Sequence, residues 1–504
     1  MTTTSERDTG SEKSNGSRSE RTTCVVVGGG PAGMVLGLLL ARAGVHVTVL
    51  EKHADFLRDF RGDTVHPTTL DLLDDLGLFE RFDALPHSTL TRARVQAPDG
   101  REVTLVDLSR LPLRHPYIAM VPQWDFLDLL ADAGREEPTF DLRMRHEVTG
   151  VVREGGRVVG VDVTTPHGPA RLLADLVVAC DGRWSLVRRE TGLPQREFPV
   201  GFDVWWFRIP TRRDLAESLL PRFNDGEVAI AIPREGYLQV AYLGRKGSDA
   251  ALRARGIEDF RARIARLLPQ VGDDVAGIAS MDDVKLLDVR VDRLRRWHAP
   301  GVLCIGDAGH AMSPVGGVGI NLAVQDAVAT ARLLAEPLRQ AGSVGPVPEA
   351  DLRRVRRRRL LPTVLVQGLQ RVMHAALIDR VLDGGVTGPP AARGGVAARS
   401  GPERDPRPAH RSRSAPRAHP RLGPSGSAGA RSAAGPSLTG ACPVFLRRVE
   451  SNRVIFHHGV EHQGCRDRSP RPGAVPGGRG VHHRGHAHSS GRAVGAAAAH
   501  AAAR

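Results

Sequence analysis

Residues 302–326 constrain the fold of this chain more than any other stretch. An apolar strand ends there in Gly306-Asp307, and a helix is predicted from about residue 321 to residue 338. The loop between strand and helix contains Pro314, Gly316, Gly317 and Gly319. Glycine permits a close backbone approach, and the N-terminus of a helix carries partial positive charge. The segment therefore aims one carboxylate and several backbone N–H groups at a single point.

A second glycine-rich segment lies near the start of the chain. Residues 24–27 form a β-branched run typical of a strand buried on both faces. The motif Gly28-x-Gly30-x-x-Gly33 then leads into a helix through about residue 42, and residues 45–50 predict the next strand. The first glycine permits the turn, the second lets the backbone approach a pyrophosphate, and the third lets helix and strand pack closely.

Glu51 restricts the ligand of this second segment. It ends the predicted strand 18 residues after Gly33, where an acid accepts hydrogen bonds from an adenosine ribose. Because the carboxylate repels a ribose 2′-phosphate, the site suits FAD or NAD rather than NADP. Pro31, Ala32 and Lys52 complete the cofactor contacts predicted here.

Together the two segments resemble those of the class A FAD-dependent monooxygenases, the p-hydroxybenzoate hydroxylase-like family of aromatic hydroxylases. Residues 306–321 read Gly-Asp-Ala-x-His-x-x-x-Pro-x-x-Gly-x-Gly-x-Asn, which is similar to the second FAD fingerprint of that family. The resemblance implies that Asp307 holds the ribityl chain and that the loop covers the pyrimidine edge of the flavin ring. The other implied contacts in this segment are Gly306, Pro314, Gly317, Gly319, Ile320 and Asn321.

Three further segments resemble the same family and follow its order along residues 22–380. Residues 180–188 resemble its Asp-Gly-x-x-Ser-x-x-Arg segment. This implies that Asp181 lies at the FAD site and that Arg188, with Arg189, meets the pyrophosphate of a nicotinamide cofactor. A solvated basic pair is the alternative. Residues 61–78 and 121–127 imply flavin contacts for Arg61 and Gln123, with ordinary helix-terminal polar residues as the alternative.

The hydrophobic pattern and the resemblance together predict an α/β fold. A Rossmann-like FAD-binding domain is interleaved with an α+β antiparallel-sheet substrate domain, followed by helices and a disordered tail. Strands are predicted at 148–152, 158–163, 204–209, 228–232 and 237–243, and helices at 257–268 and 361–382. The expected division is a disordered arm (1–20), the FAD-binding domain in two parts (21–195 and 299–340), the substrate domain (196–298), C-terminal helices (341–384) and the tail (385–504). Six arginines within residues 353–359 predict a solvated helix face.

The excess positive charge is confined to the tail. The net charge is +14, and residues 385–504 account for all of it with 19 arginines, no lysine and 5 acidic residues. The balanced remainder gives no electrostatic reason to expect a nucleic-acid partner. The Arg, Pro, Ala, Gly and His content of the tail predicts disorder.

We interpret the tail as the product of a reading-frame shift near residues 384–395. An arginine-rich arm for acidic surfaces and a metal-binding histidine tract are the alternatives. Translation of the gene in its other two frames tests the interpretation, which fails when neither frame continues an amphipathic pattern.

The remaining features indicate a cytoplasmic protein. Residues 1–20 lack the apolar core of a signal peptide, and no run of about 18 apolar residues predicts a membrane span. The five cysteines show no metal-ligand spacing, so no metal site is predicted, and they suit a reducing compartment.

The resemblance implies an activity as well. FAD reduced by NADH or NADPH would react with molecular oxygen, and the resulting flavin C4a-hydroperoxide would hydroxylate an aromatic or polyketide-like small molecule. A base that deprotonates a phenol assists such a reaction. The sequence leaves the catalytic base and the oligomeric state open, and the candidate bases are His66, His115, Tyr117, Tyr237 and Tyr242.

Other functions share the same cofactor site. A flavin-dependent reductase or dehydrogenase of an apolar substrate is the main alternative, and oxygen-dependent product formation separates the two. A halogenase is disfavoured, because Phe207 stands where the halogenase pattern has its second Trp and no lysine occurs between Lys52 and Lys246. An inactive enzyme with a frameshifted C-terminus and a nucleic-acid-associated binding module complete the alternatives.

Overall fold

The computed structural model describes residues 19–57, 64–96, 102–213, 221–224, 226–234 and 236–382. The chain divides into two units, Met1–Val454 and Ile455–Arg504, and every described residue belongs to the first. Arg61, most of the predicted N-terminal arm and the tail predicted from residue 385 lie outside the described residues.

The described strands are, in chain order, β1 Ser19–Val27, β2 Val47–Glu51, β3 Thr64–Val65, β4 Ser88–Leu90, β5 Arg92–Gln96, β6 Glu102–Asp107, β7 Ile118–Met120, β8 Phe140–Met144, β9 Glu147–Glu154, β10 Arg157–Thr165, β11 Gly168–Ala179, β12 Gln195–Phe198, β13 Phe202–Pro210, β14 Pro221–Asn224, β15 Glu227–Arg234, β16 Tyr237–Arg245, β17 Lys285–Leu287, β18 Val291–Leu294, β19 His298–Ala299 and β20 Val302–Cys304. The described helices are α1 Pro31–Arg42, α2 Pro67–Asp75, α3 Phe79–Asp83, α4 Gln123–Arg135, α5 Leu186–Glu190, α6 Asp249–Ala254, α7 Gly256–Leu267, α8 Gly319–Val344, α9 Glu349–Met373 and α10 Asp379–Leu382. A π-helical turn, His374–Ile378, joins α9 to α10.

A largely parallel sheet with helices against it carries the glycine-rich segments. Its strand order is β19-β20-β11-β1-β2-β8, and β1 runs parallel to both of its neighbours, β11 and β2. Cys24, Val25 and Val26 have no exposed surface, as a central parallel strand requires. Helices α1, α4 and α8 pack against the strands, and α1 also packs against α4 and α8. The predicted parallel-sheet unit is therefore confirmed.

Strand β1 is longer than predicted and begins inside the arm assigned to residues 1–20. Ser19 and Glu20 pair with residues of β11, and Arg143 of β8 forms an ion pair with Glu20. The disorder prediction is wrong for Ser19 and Glu20, because β11 continues the hydrogen-bond ladder beyond the apolar run that the sequence pattern detects.

The hairpin predicted from residues 148–163 is confirmed. Strands β9 and β10 are antiparallel, and Gly155 and Gly156 connect them with φ values of 53° and 79°. Glycine adopts this left-handed backbone without steric cost. Because β10 also pairs with β11, the hairpin is joined to the parallel sheet.

A second sheet is antiparallel and has the strand order β14-β15-β16-β13-β17. The strands predicted at 204–209, 228–232 and 237–243 are β13, β15 and β16, and the helix predicted at 257–268 is α7. One face of the sheet buries Trp205, Phe207 and Tyr242 against Phe260 and Ile264 of α7. The antiparallel sheet is therefore confirmed.

The two long C-terminal helices begin before their predicted first residues, and the helix predicted at 361–382 consists of the end of α9, the π-helical turn and α10. Helix α8 begins at Gly319 and continues through Pro337 to Val344, while α9 takes in the whole arginine run. The solvated face predicted for residues 353–359 is wrong for Arg359, which is only 2% exposed. The buried side of α9 passes through Leu352, Val355, Arg359 and Thr363, at the spacing of a helix face.

Candidate active site

The turn from β1 into α1 needs its glycines for different reasons. Gly28 has a φ of 104°, and its N–H donates to the carbonyl oxygen of Leu50 over 2.8 Å. A Cβ atom at Gly33 would lie 1.9 Å from the carbonyl oxygen of Gly28, so only glycine allows this close approach. A Cβ atom at Gly30 would meet no atom within 4 Å. The backbone at the N-terminus of α1 thus has room beside it for a phosphate group.

Glu51, at the end of β2, is held by two backbone donors. The N–H of Gly29 donates to Glu51 Oε2 over 2.9 Å, and the N–H of His53 donates to Oε1 over 3.0 Å. The Glu51 side chain is buried, whereas the neighbouring Lys52 is exposed. The carboxylate is therefore fixed beside the glycine turn, where an acid of this kind binds ribose hydroxyls.

The two glycine-rich segments meet at Gly306. A Cβ atom there would lie 3.2 Å from Ala32 Cβ of α1 and 3.5 Å from Ala323 Cβ of α8. Gly306 has a φ of 57° and begins a short 3₁₀ turn that ends at Ala308. Asp307 extends from this turn with its side chain 29% exposed, and Arg183 donates to Asp307 Oδ2 over 3.2 Å. The start of α1, the start of α8 and one part-exposed carboxylate thus come together.

The loop that leads into α8 is fixed to β3 and α2. Thr64 Oγ1 donates to the carbonyl oxygen of Gly317 over 2.6 Å. Asn321 Oδ1 accepts from the N–H of His66 over 3.0 Å and from Thr69 Oγ1 over 2.8 Å. Asn321 Nδ2 donates to the carbonyl oxygen of Thr64 over 3.3 Å. The buried Asn321 side chain therefore joins the start of α8 to β3 and α2. Its neighbours Gly319 and Ile320 form the first turn of α8, and Pro314 starts the loop.

Asp181 follows the end of β11 and lies beside the Gly28 turn. A Cβ atom at Gly28 would lie 3.1 Å from Asp181 Cα. Asp181 Oδ2 accepts from the N–H groups of Leu186 and Val187 over 2.8 and 3.3 Å. The other oxygen, Oδ1, is buried and has no hydrogen-bond partner among the described residues. Burial raises the pKa of Asp181, and hydrogen bonds offset this only in part. A buried unpaired acceptor at this place fits a ligand with hydroxyl groups.

Arg188 is directed into the protein. Its guanidinium donates to Asp292 Oδ1 over 3.3 Å and to the carbonyl oxygens of Ala308 and Arg183 over 3.4 and 2.6 Å. The alternative of a solvated pair is wrong for Arg188, because these acceptors draw the side chain inward and only Arg189 is exposed. The contact to Ala308 means that Arg188 supports the turn that carries Asp307.

Gln123 occupies the start of α4, directly after Pro122 and the end of β7. The strand-to-helix step that the sequence predicts at residues 121–127 is thus present. Arg61, the other residue for which the resemblance implies a flavin contact, lies outside the described residues.

A buried ionic network behind Gly306 was not predicted. Asp326 Oδ2 accepts from the N–H of Gly306 over 3.0 Å and lies 2.5 Å from His310 Nε2, while Arg359 Nε donates to Asp326 Oδ1 over 2.7 Å. Burial alone raises the pKa of Asp326, but the charges and hydrogen bonds of His310 and Arg359 outweigh it and lower the pKa. The helical spacing of Leu352, Val355 and Arg359 is the sequence signal that identifies which arginine is buried.

Helix α9 also holds the loop that precedes the cofactor segment of α8. Gln367 Nε2 donates to the carbonyl oxygens of Asp292 and Ala311. Gln370 Nε2 donates to the carbonyl oxygens of Ser313 and Val315, each over 2.8 Å. His374 Nε2 lies 2.9 Å from Ser313 Oγ. One side of α9 therefore fixes residues 311–315, a role that no sequence motif announces.

The candidate bases lie in different places. The His66 ring has its Nε2 buried without a hydrogen-bond partner among the described residues, and burial lowers the pKa of His66 to about 4. Tyr242 donates to Glu227 Oε1 over 2.8 Å on the sheet face covered by α7, and burial raises its pKa. His115 stacks on Phe79 at a ring distance of 3.7 Å. Among these residues, His66 is the one whose backbone N–H bonds Asn321 in the first turn of α8.

The geometry of the site defines a dinucleotide-binding flavoprotein: an open helix N-terminus at Gly30, a fixed acid at Glu51, an unpaired acceptor at Asp181 and a part-exposed carboxylate at Asp307 all fit FAD. The family model described as FAD binding domain matches residues 21–346. The chain therefore belongs to this family, that of the class A FAD-dependent monooxygenases, and is an oxidoreductase.

Individual relatives agree with this family. The chain is 35% identical over 322 residues to 6-methylpretetramide 4-monooxygenase of Streptomyces rimosus, which covers 63% of this chain and 76% of that protein. It is 32% identical over 329 residues to 12-dehydrotetracycline 5-monooxygenase/anhydrotetracycline 6-monooxygenase of Streptomyces rimosus, which covers 60% of each chain. The structure of OxyS anhydrotetracycline hydroxylase from Streptomyces rimosus matches with a TM-score of 0.58 and 27% identity, over 72% of this chain and 70% of that one. No helix in the described part of the chain is long and apolar enough to cross a membrane.

Proposed function

We propose that this protein is a FAD-dependent monooxygenase that consumes NADH or NADPH and hydroxylates an aromatic or polyketide-like small molecule. The observation that carries the proposal is the meeting of the two glycine-rich segments at Gly306, where an added Cβ atom would lie 3.2 Å from Ala32 Cβ of α1. This arrangement supports one continuous FAD site rather than two separate glycine turns. The relatives named for 6-methylpretetramide and anhydrotetracycline support a polyketide-like substrate.

In this proposal the described residues hold FAD along its whole length. The pyrophosphate lies at Gly28, Gly30, Pro31, Ala32 and Gly33, the adenosine ribose at Glu51 with Lys52 nearby, and the ribityl chain at Asp307. The flavin ring lies at the loop formed by Pro314, Gly317, Gly319 and Ile320, with Gln123 beside it. The flavin contact implied for Arg61 stays a prediction from the sequence, because Arg61 lies outside the described residues. Asp181 supplies its unpaired oxygen to the same site. Arg188 and Asn321 act through the turns that they support.

The bound FAD would supply the redox chemistry, and the protein would position the substrate and exclude water. We assign the substrate domain to the antiparallel sheet of β13, β15 and β16, whose strands lie within the range 196–298 predicted for it. His66 is neutral at pH 7, because burial lowers its pKa to about 4. The low pKa makes the ring a weak proton acceptor, and its neutral form can accept a hydrogen bond from a ligand.

The nicotinamide is a transient reactant in this proposal. Of the two neighbouring arginines, Arg189 is the exposed one, so the contact to the nicotinamide pyrophosphate falls on Arg189. A cytoplasmic location stays part of the proposal. Cys24, Cys180 and Cys304 support it, since all three are buried thiols without a disulfide.

The test is the visible absorption spectrum of the purified full-length protein, followed by NADH and NADPH oxidation with phenolic compounds. The proposal expects bound oxidised flavin, and oxygen uptake that rises when an aromatic substrate is added. A protein that stays colourless with added FAD overturns the assigned cofactor site. Product formation that proceeds equally well without oxygen favours the reductase or dehydrogenase alternative.

A further inference from the structure

The antiparallel sheet presents a second face, opposite to α7, on which six side chains form two rows. Strand register pairs Trp206 with Ala241 and Ala241 with Ile230. The next row pairs Arg208 with Gln239 and Gln239 with Ile232. Because side chains alternate between faces along a strand, these residues share one face, while Trp205, Phe207 and Tyr242 occupy the other.

This second face lies against the segments assigned to the flavin. Val315 of the cofactor loop packs on the same apolar cluster as Trp206 and Ile230. The Arg208 guanidinium lies 5.6 Å from the centre of the Trp124 ring at the start of α4. Arg234, in the same face, donates to the carbonyl oxygen of Met120 at the end of β7. A substrate bound between sheet and flavin therefore contacts this face.

Two uncharged N–H donors on this face are buried without an acceptor among the described residues. Trp206 Nε1 and Gln239 Nε2 are both buried and make no hydrogen bond to any described residue, and the Gln239 side chain as a whole is 1% exposed. Gln239 Oε1 accepts from Arg234 Nε over 3.3 Å, which directs the amide NH₂ away from Arg234. Buried donors are nearly always paired in folded proteins. Two of them on adjacent strands indicate a ligand with an oxygen acceptor.

The surrounding side chains indicate what kind of oxygen this is. Trp206 and Ile230 flank the small Ala241, and this apolar row belongs to the cluster that also contains Val315, Ile378 and Leu382. Arg208 and Arg234 place two positive charges on this second face. The residues of β13, β15 and β16 that point to the second face include no Asp or Glu. Positive charge and N–H donors favour an ionised oxygen.

We propose that Trp206 and Gln239 bind the phenolate or enolate oxygen of a fused-ring aromatic substrate, with the ring system lying on Trp206, Ala241 and Ile230. This assignment rests on the proposed function and names the substrate class of that site. Both residues act by positioning: their N–H groups fix which edge of the ring system faces the flavin loop, and neither takes a proton from the substrate.

The test compares 1-naphthol with naphthalene, which lacks the oxygen, by equilibrium dialysis against the FAD-loaded full-length protein. We expect Gln239→Leu and Trp206→Phe each to raise the Kd of 1-naphthol by about three- to tenfold. The Kd of naphthalene should stay unchanged in Gln239→Leu, and in Trp206→Phe it should rise less than that of 1-naphthol, because Phe keeps part of the aromatic surface. The matched control is Gln195→Leu, whose amide bonds Glu197 on an exposed strand, and it should change neither value.

FAD content per chain, measured by absorption, shows that each variant is folded. Variants that keep FAD and bind 1-naphthol as tightly as the unaltered protein overturn the assignment, while NADH or NADPH oxidation stimulated by aromatic compounds leaves the proposed function standing. If no aromatic compound stimulates that oxidation in the unaltered holoenzyme, the proposed function itself fails. If Gln239→Leu loses FAD, Trp206→Phe alone decides the assignment.

Discussion

Arg359 Nε donates to Asp326 Oδ1 over 2.7 Å, and neither side chain is more than 2% exposed. The same carboxylate accepts the backbone N–H of Gly306 through its other oxygen. A buried charge pair between two long helices therefore holds the turn from which Asp307 extends. The Asp326–Arg359 pair therefore couples the stability of the protein to cofactor binding.

The Arg359→Met variant should lower the free energy of unfolding by about 3–5 kcal/mol, because it leaves the Asp326 charge buried with less compensation. Denaturant titration measures the change. The matched control is Arg358→Met, at the exposed neighbouring position, and it should stay within about 0.5 kcal/mol of the unaltered protein. Equal effects at both positions would contradict the buried pair.

Alanine substitutions at two glycines of the turn between β1 and α1 should affect different properties of the protein. In Gly33→Ala the new Cβ would lie 1.9 Å from the Gly28 carbonyl oxygen, so the apoprotein should lose about 1–3 kcal/mol of stability. In Gly30→Ala the new Cβ meets no protein atom within 4 Å, so apoprotein stability should hold while FAD binding weakens.

The measurements for these glycines are unfolding of the apoprotein and FAD titration. Gly368→Ala is the control, since its Cβ also meets nothing within 4 Å and it lies in a helix far along the chain from the turn. It should leave FAD binding unchanged. A Gly30→Ala protein that binds FAD normally would contradict the pyrophosphate position.

His374 should make stability depend on pH. Burial lowers its pKa from 6.5 to about 4, so between these values the unfolded chain binds a proton that the native protein does not. The free energy of unfolding therefore falls as the pH drops from 6.5 towards 4. His374→Gln should reduce this slope by up to about 1.4 kcal/mol per pH unit.

Unfolding titrations at several pH values measure the slope of the His374→Gln variant. His66 contributes a slope of the same sign, because burial lowers its pKa to about 4 as well, so part of the dependence should remain. The control His167→Gln replaces an exposed ring and should leave the slope as it is. An unchanged slope in His374→Gln would show that the ring is not buried in its neutral form.

Gln370→Leu should loosen the cofactor loop. It removes the donor shared by the carbonyl oxygens of Ser313 and Val315, which costs about 1–3 kcal/mol. We expect faster FAD release, measured from the recovery of flavin fluorescence on dilution. Gln340→Leu, at an exposed position of α8, should release FAD at the normal rate, and equal rates for both variants would argue against the loop contact.

The sequence predicts the elements that local patterns determine. Residues 24–27, the hairpin glycines Gly155 and Gly156, and the strands of the antiparallel sheet follow from β-branched runs, turn chemistry and alternation. The bounds of β1 and of the two long helices were less accurate, because pairing with β11 and packing between α8 and α9 extend these elements beyond their apolar patterns.

Some residues of the candidate site could likewise be predicted from local sequence patterns, and others could not. Gly28, Gly33 and Gly306 could be predicted, since each has a backbone geometry that few other residues allow. The roles of Arg359 and Gln370 could not be read from a motif, because they depend on which side of α9 faces Asp326 and Ser313. Arg188 shows the limit of motif reading: its position is motif-like, but its contacts are with Asp292 and Ala308 inside the protein.

The most direct test of the proposed activity uses isotopically labelled molecular oxygen. The FAD-loaded full-length protein is incubated with either NADH or NADPH and with either anhydrotetracycline or 1-naphthol. The molecular mass of the product is then measured by mass spectrometry. We expect a hydroxylated product that carries one labelled oxygen atom from molecular oxygen. A product without the label, or one formed equally in the absence of oxygen, would contradict a monooxygenase.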